Sequence, residues 1–320
     1  MSFALMVLAL GLVLLVFSAD WFIEGSAATA AHLGLPPLLI GLVIIGFGSS
    51  SPEMLISAQA AVQNNPNLAL GNAVGSNITN IALILGITAL VKPITISNQI
   101  LRRELPLLIL ISCTCCLLIA IDKRLQFTDG IVLMIGFLLA MTWMISAGIR
   151  EKSRQAPSPD PQKLSLVASI ILMLLGFMLL LGSSRAIVWS ASEIARAFGI
   201  SDLIIGLTIV AIGTSLPELA ATITAVRKSL YDLALGNIIG SNIFNGSIVI
   251  AITALISPTA VETELIYRDL PVMIFLTIAL FLMGARIRSG SSGVISRREG
   301  LVFLLIYLGY SGLLASTIIK

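Results

Sequence analysis

"LALGNAVGSNITN", Leu68 to Asn80, and "LALGNIIGSNIFN", Leu233 to Asn245, agree at ten of thirteen positions, 165 residues apart. A repeat of this length outranks any single motif as a guide to architecture. The same offset aligns "GSSSPE", Gly48 to Glu53, with "GTSLPE", Gly213 to Glu218. It also aligns Gly41 with Gly206, and "RRELP" ending at Pro106 with "YRDLP" ending at Pro271. Farther on, Asp129-Gly130 matches Glu299-Gly300 at a shifted offset, so one small length change separates the copies.

The surroundings of the repeat are strongly apolar. Of 320 residues, 57% are hydrophobic and 11% charged, and the mean hydropathy is +1.04. A membrane helix needs ~20 mostly apolar residues. Ten such segments fit, at 3–18, 38–62, 68–91, 105–121, 130–148, 164–184, 203–226, 233–257, 270–285 and 300–319. They are too continuous for the strands of an outer-membrane barrel. The start, MSFALMVLAL, has no positive region and reads as a retained first span. The expectation is an all-α multi-span membrane protein of ten transmembrane helices, five per half. Five is odd, so the second half enters the membrane the opposite way. Two inverted five-helix repeats are an architecture of secondary transporters. The first repeat is 1–149, with its motif at 46–80, and the second is 164–320, with its motif at 211–245. The polar, proline-rich "REKSRQAPSPDPQK", 150–163, joins them as a tether.

Basic residues set the orientation. Loops on the side of the two termini, with the tail, hold Lys123, Arg124, Arg185, Arg196, Arg268 and Lys320; the other thirteen of the 19 lie opposite. The positive-inside rule then puts both termini outside and the 150–163 linker in the cytoplasm. The net charge of +3 thus reports topology and is no argument for nucleic-acid binding. The chain shows no HExxH motif, no Asp pair on adjacent spans and no Ser/His combination at depth, so an intramembrane enzyme is not expected. Cys113, Cys115 and Cys116 share one apolar span and read as packing or lipid-facing residues. Asp20 and Glu24 read as markers of the membrane interface, and His32 falls in the loop after the first span.

Glu53 and Glu218 are the exceptions that the apolar segments carry. An ionisable group at membrane depth costs several kcal/mol unless something pairs with it. Pro52 and Pro217 precede them; each lacks an N–H and crowds the carbonyl four residues back. The helices should therefore break near 46–49 and 211–214, leaving carbonyls unpaired, which membrane proteins tolerate where a cavity or ligand is lined. Ser49 and Ser50 lie one turn before Glu53, as Thr214 and Ser215 do before Glu218. In the next span of each half, Ser76 and Asn80 are four apart, as are Ser241 and Asn245. If the halves meet at the midplane, the result is an oxygen-rich cage of charge about −2, suited to Ca²⁺ with its 6–8 oxygens. One Ca²⁺ or two Na⁺ would neutralise it. Gly71-xxx-Gly75 and Gly236-xxx-Gly240 read as close-packing faces that bring the ligand-bearing helices together. Asn72 and Asn237 are either ligands or interhelical hydrogen-bond partners.

On these residues the sequence resembles the cation/calcium exchanger superfamily: "GSSSPE…GNAVGSNITN" and "GTSLPE…GNIIGSNIFN" look like its two α-repeats. It is most similar to the prokaryotic sodium/calcium exchanger branch, bacterial inner-membrane calcium/sodium antiporters. The resemblance implies transport of Ca²⁺ and Na⁺ with no cofactor, the bilayer as the surroundings, and Glu53 and Glu218 as central ligands. It further implies oxygens from Ser49, Ser50, Thr214, Ser215, Ser76, Ser241, Asn80 and Asn245, and the carbonyls of Gly46 and Ala211 at Na⁺ sites. It implies that the first and sixth spans slide over an eight-helix core. Two departures stand out. Repeat one reads Ser-Ser-Ser-Pro where the common pattern is Thr-Ser-Leu-Pro, so Ser51 replaces Leu. Asn245 stands where potassium-dependent relatives carry Asp, which argues against K⁺ dependence. A proton-coupled exchanger using the same cage is the alternative.

Overall fold

The computed structural model describes residues 1–152, 164–199, 211–285 and 293–318, almost all of them helical. Eight helices are long and apolar enough to cross a membrane: Ser2–Leu33, Pro66–Val91, Ile100–Asp122, Phe127–Arg150, Leu166–Ala197, Tyr231–Ile256, Leu265–Gly284 and Arg297–Ser316. The helices Pro37–Ser49 and Ser51–Val62 pass the same test together as a bent pair, at 43°. The expected segment 203–226 is described from Ala211 onward, as helices Ala211–Thr214 and Leu216–Arg227. Its earlier part, and residues 153–163 of the linker, lie outside the described residues.

Local chemistry explains the punctuation. The first helix ends at Gly34, whose φ of 61° is the left-handed conformation that glycine adopts without a Cβ penalty. Pro37 and Pro66 sit at helix starts, where a missing N–H costs nothing. The sixth expected span begins at Ser165, whose hydroxyl accepts from the Ala168 amide at 3.3 Å. The first helix is longer than its apolar run, so His32 lies in its last turn, not in a loop; its Nε2 meets the Leu164 carbonyl at 2.7 Å.

The two halves interlock by reciprocal contacts. A Cβ on Gly130 would lie 2.9 Å from Ala254 and 3.0 Å from the Ala251 carbonyl; one on Gly300 would lie 2.8 Å from both Ala89 and the Gly86 carbonyl. Each glycine therefore seats the fifth helix of its own half on the third helix of the other. Four short strands, absent from the all-α expectation, repeat the exchange. Ile94–Ile96 pairs with Gly293–Ile295, and Arg124–Leu125 with Thr259–Ala260, both antiparallel. The ladders satisfy connector backbone that no helix serves.

Helices Ser2–Leu33 and Leu166–Ala197 form a separate pair, seated backbone to backbone. A Cβ on Gly25 would lie 2.4 Å from the Met173 nitrogen, and one on Gly176 2.4 Å from the Phe22 nitrogen. Among the described residues this pair touches the rest mainly through 211–228: Ser184 donates to the Gly213 carbonyl at 2.8 Å, and Lys228 meets Asp20 at 2.7 Å. Asp20 and Glu24 thus do more than mark an interface.

Candidate ion-binding centre

The helix interruptions fall beside the carboxylates. Ser50 (φ −83°, ψ 2°) separates Gly46–Ser49 from Ser51–Val62, and Ser215 (φ −93°, ψ 7°) separates Ala211–Thr214 from Leu216–Arg227. Pro52 and Pro217 occupy the first turns of the second pieces, followed at once by Glu53 and Glu218. Asn80 and Asn245 lie in π-helical turns, Thr79–Leu85 and Asn245–Val249, a local widening frequent at functional sites.

These elements bring the sequence-derived residues together. Glu53 and Glu218 are each 1% exposed, and Ser49, Ser50, Ser215, Ser76, Ser241, Asn80 and Asn245 are buried. Ser49 donates to Asn237 Oδ1 at 2.9 Å and lies 3.2 Å from Ser241 Oγ. Ser241 donates to the Gly46 carbonyl at 3.4 Å. That carbonyl also accepts from the Ser50 amide at 3.1 Å, so the break does not leave it unpaired, contrary to expectation. The bend is confined to one residue, and the turn before it keeps its backbone bond. Thr214 is half-buried at the end of its short helix. Ala211 opens that helix; its side chain lies outside the described residues.

Twelve buried side-chain oxygens have no hydrogen-bond partner among the described residues. Six belong to this cluster: both of Glu53, Oε2 of Glu218, Oγ of Ser50, and Oδ1 of Asn80 and Asn245. A buried acceptor without a donor costs ~1–3 kcal/mol, more for a carboxylate. Oxygens concentrated this way are what a hard cation compensates.

The structure resolves the two readings of Asn72 and Asn237. Asn72 Nδ2 donates to the Glu53 carbonyl at 3.1 Å and to Ser57 at 2.9 Å. Asn237 Nδ2 donates to the Glu218 carbonyl at 3.3 Å and to Thr222 at 2.9 Å. Each ties the carboxylate-bearing helix to the next. The packing expected of the glycines is present at Gly236 and Gly240. A Cβ on Gly240 would lie 2.3 Å from the Leu42 carbonyl, and one on Gly236 2.8 Å from that of Leu38. Gly71 and Gly75 meet nothing within 4 Å among the described residues, and the segment that would face them by the 165-residue offset lies outside those residues.

Sequence reasoning passed over Asn77 and Asn242, which are 1% and 0% exposed and bond across the interface of the halves. The signal was present, since both lie in the shared "GSN".

The chain is similar to known proteins along most of its length. The profile of the family described as sodium/calcium exchanger protein matches residues 3–146 and 168–315. The putative antiporter CaxA of Alkalimonas amylolytica is 44% identical over 96% of this chain and 97% of its own length. The inner membrane protein YrbG of Escherichia coli is 38% identical over 88% of this chain and 89% of its own. Among solved structures, the sodium-calcium exchanger NCX_Mj soaked with Na⁺ and Ca²⁺ superposes with a TM-score of 0.83 at 31% identity, covering 96% of each chain.

Proposed function

Since the chain belongs to the sodium/calcium exchanger family, we propose that it exchanges Ca²⁺ for Na⁺ by alternating access at a midplane centre built on Glu53 and Glu218. It is a multi-span membrane transporter of cations, not an enzyme, and its family moves Ca²⁺ and Na⁺ without a cofactor. The observation that carries the reading is the group of six buried oxygens, on Glu53, Glu218, Ser50, Asn80 and Asn245, that have no hydrogen-bond partner among the described residues.

In this reading Glu53 and Glu218 bind Ca²⁺ directly and serve Na⁺ in its place. Ser49, Ser50, Thr214, Ser215, Ser76 and Ser241 supply hydroxyl or carbonyl oxygens, Asn80 and Asn245 amide oxygens, and Gly46 and Ala211 carbonyls at the Na⁺ positions. One Ca²⁺ or two Na⁺ cancel the two charges. A filled centre can then change exposure, whereas two bare facing carboxylates resist it. That charge rule couples the ions. The reciprocal glycine and strand contacts support ten spans in two inverted halves. The backbone-seated pair Ser2–Leu33 and Leu166–Ala197 suits a unit that moves against the rest. The chain lies in the inner membrane with both termini outside.

The test is ion flux in reconstituted vesicles. An imposed Na⁺ gradient should drive Ca²⁺ uptake, and a pH gradient of the same size should not; the reverse result assigns proton coupling instead. Glu53→Gln and Glu218→Gln should each lower uptake on the order of 100-fold, the scale of removing one member of a buried charge set. Retained exchange in either inserted variant would sink the site.

A further inference from the structure

Asn77 and Asn242 each lie three residues before a candidate ligand, Asn80 or Asn245. They meet by exchange: Asn77 Nδ2 donates to the Asn242 carbonyl at 3.3 Å, and Asn242 Nδ2 to the Asn77 carbonyl at 3.5 Å. The clasp joins the third helix of one half to the third helix of the other. Asn242 has one side-chain atom left, Oδ1, and it accepts from Asn80 Nδ2 at 2.9 Å.

That bond has a directional consequence. A carboxamide has an accepting end and a donating end of nearly the same size. With the donating end of Asn80 engaged by Asn242, the oxygen must point the other way. Asn80 Oδ1 is buried and has no hydrogen-bond partner among the described residues. Asn77 does not serve Asn245 in the same manner. Its NH₂ group also lies 3.5 Å from Met273 Sδ, and both Asn77 Oδ1 and Asn245 Oδ1 lack hydrogen-bond partners among the described residues. The clasp orients one of the two ligand amides.

We propose that Asn242 is a positioning residue that selects the orientation of the Asn80 amide, so that its oxygen and not its NH₂ group faces the transported cation. The inference rests on the reading of Asn80 as a ligand. A reversed amide turns two N–H donors toward the cation, which replaces attraction by repulsion. Loss of the Oδ1 acceptor lets the Asn80 side chain populate both orientations, since the terminal torsion has two similar wells.

The experiment is a double-mutant cycle on the reconstituted full chain, with half-saturating Ca²⁺ and maximal rate measured separately. Asn242→Leu should raise half-saturating Ca²⁺ about fivefold, the size of one neutral hydrogen bond, with little change in maximal rate. Asn80→Ala should raise it by at least as much. The double variant should be no worse than Asn80→Ala alone, because Asn242 acts only through Asn80. Multiplied effects in the double variant, or unchanged half-saturation in Asn242→Leu, overturn the proposal. Asn242→Asp keeps an acceptor in the same volume and should not weaken Ca²⁺ binding; a loss equal to that of the leucine variant overturns it too, and this arm stands even where the leucine variant does not fold. Unchanged Ca²⁺ dependence in Asn80→Ala removes the ligand reading itself, a separate failure from that of Asn242.

Discussion

Gly236 and Gly240 press against the backbone of Leu38 to Leu42, while their twins Gly71 and Gly75 meet no described atom within 4 Å. The same contrast runs through the neighbours. Asn237 is fully buried and Asn72 partly exposed; Ser241 is 0% exposed and Ser76 7%. The two stretches are nearly the same sequence. One copy is sealed by the first part of the bent pair. The segment that would seal the other, by offset, is 205–210, outside the described residues.

The sharpest way to break this comparison is to add one methyl group to each copy. Gly240→Ala should destabilise the protein by about 1–3 kcal/mol, because its Cβ meets a backbone carbonyl that cannot rotate away. Gly75→Ala should leave the unfolding temperature near wild type, since no described atom opposes its Cβ. Equal thermal destabilisation of both variants would end the distinction.

A smaller effect tests the departure in repeat one. Ser51 donates to the Phe47 carbonyl at 2.9 Å across the bend; Leu216, its counterpart, has no hydroxyl to do so. Ser51→Leu should destabilise by about 0.5–1.5 kcal/mol, the worth of one hydrogen bond, and should leave half-saturating Ca²⁺ unchanged. A shift in Ca²⁺ dependence would move Ser51 into the site.

The smallest effect concerns Lys228, which meets Asp20 at 2.7 Å and Glu24 at 3.4 Å. Offset by 165, the counterparts of Lys228 and Asp20 are Gln63 and Arg185, so the ion pair exists on one side only. The acidic partners are about half exposed, and solvent limits the pair to a few tenths of a kcal/mol. Lys228→Gln should therefore change stability little and make the exchange rate less sensitive to ionic strength. Unchanged salt dependence would show that the pair does not hold the two-helix unit.

Much of the centre was legible because its signals are local. Pro52 and Pro217 place the interruptions within a residue or two, since a missing N–H acts on its own turn. Ser49 and Glu53, or Ser76 and Asn80, share a face by helical spacing alone. Asn77 and Asn242 were hidden because their partners are 165 residues away, and helical spacing says nothing about contacts between halves. The short strands escaped for the same reason: three-residue ladders between distant connectors leave no periodic trace.

The sequence by itself determined that this chain crosses the membrane many times, that it consists of two matched halves, and that each half breaks a helix beside one buried glutamate. Those facts follow from hydropathy, repetition and proline chemistry, which each residue carries wherever it sits. The tertiary structure alone decided that Gly236 and Gly240 seat on the backbone of Leu38 to Leu42, that Asn72 and Asn237 clasp backbone, and that Asn80 donates to Asn242. Those depend on distances between helices, which no stretch of sequence carries by itself.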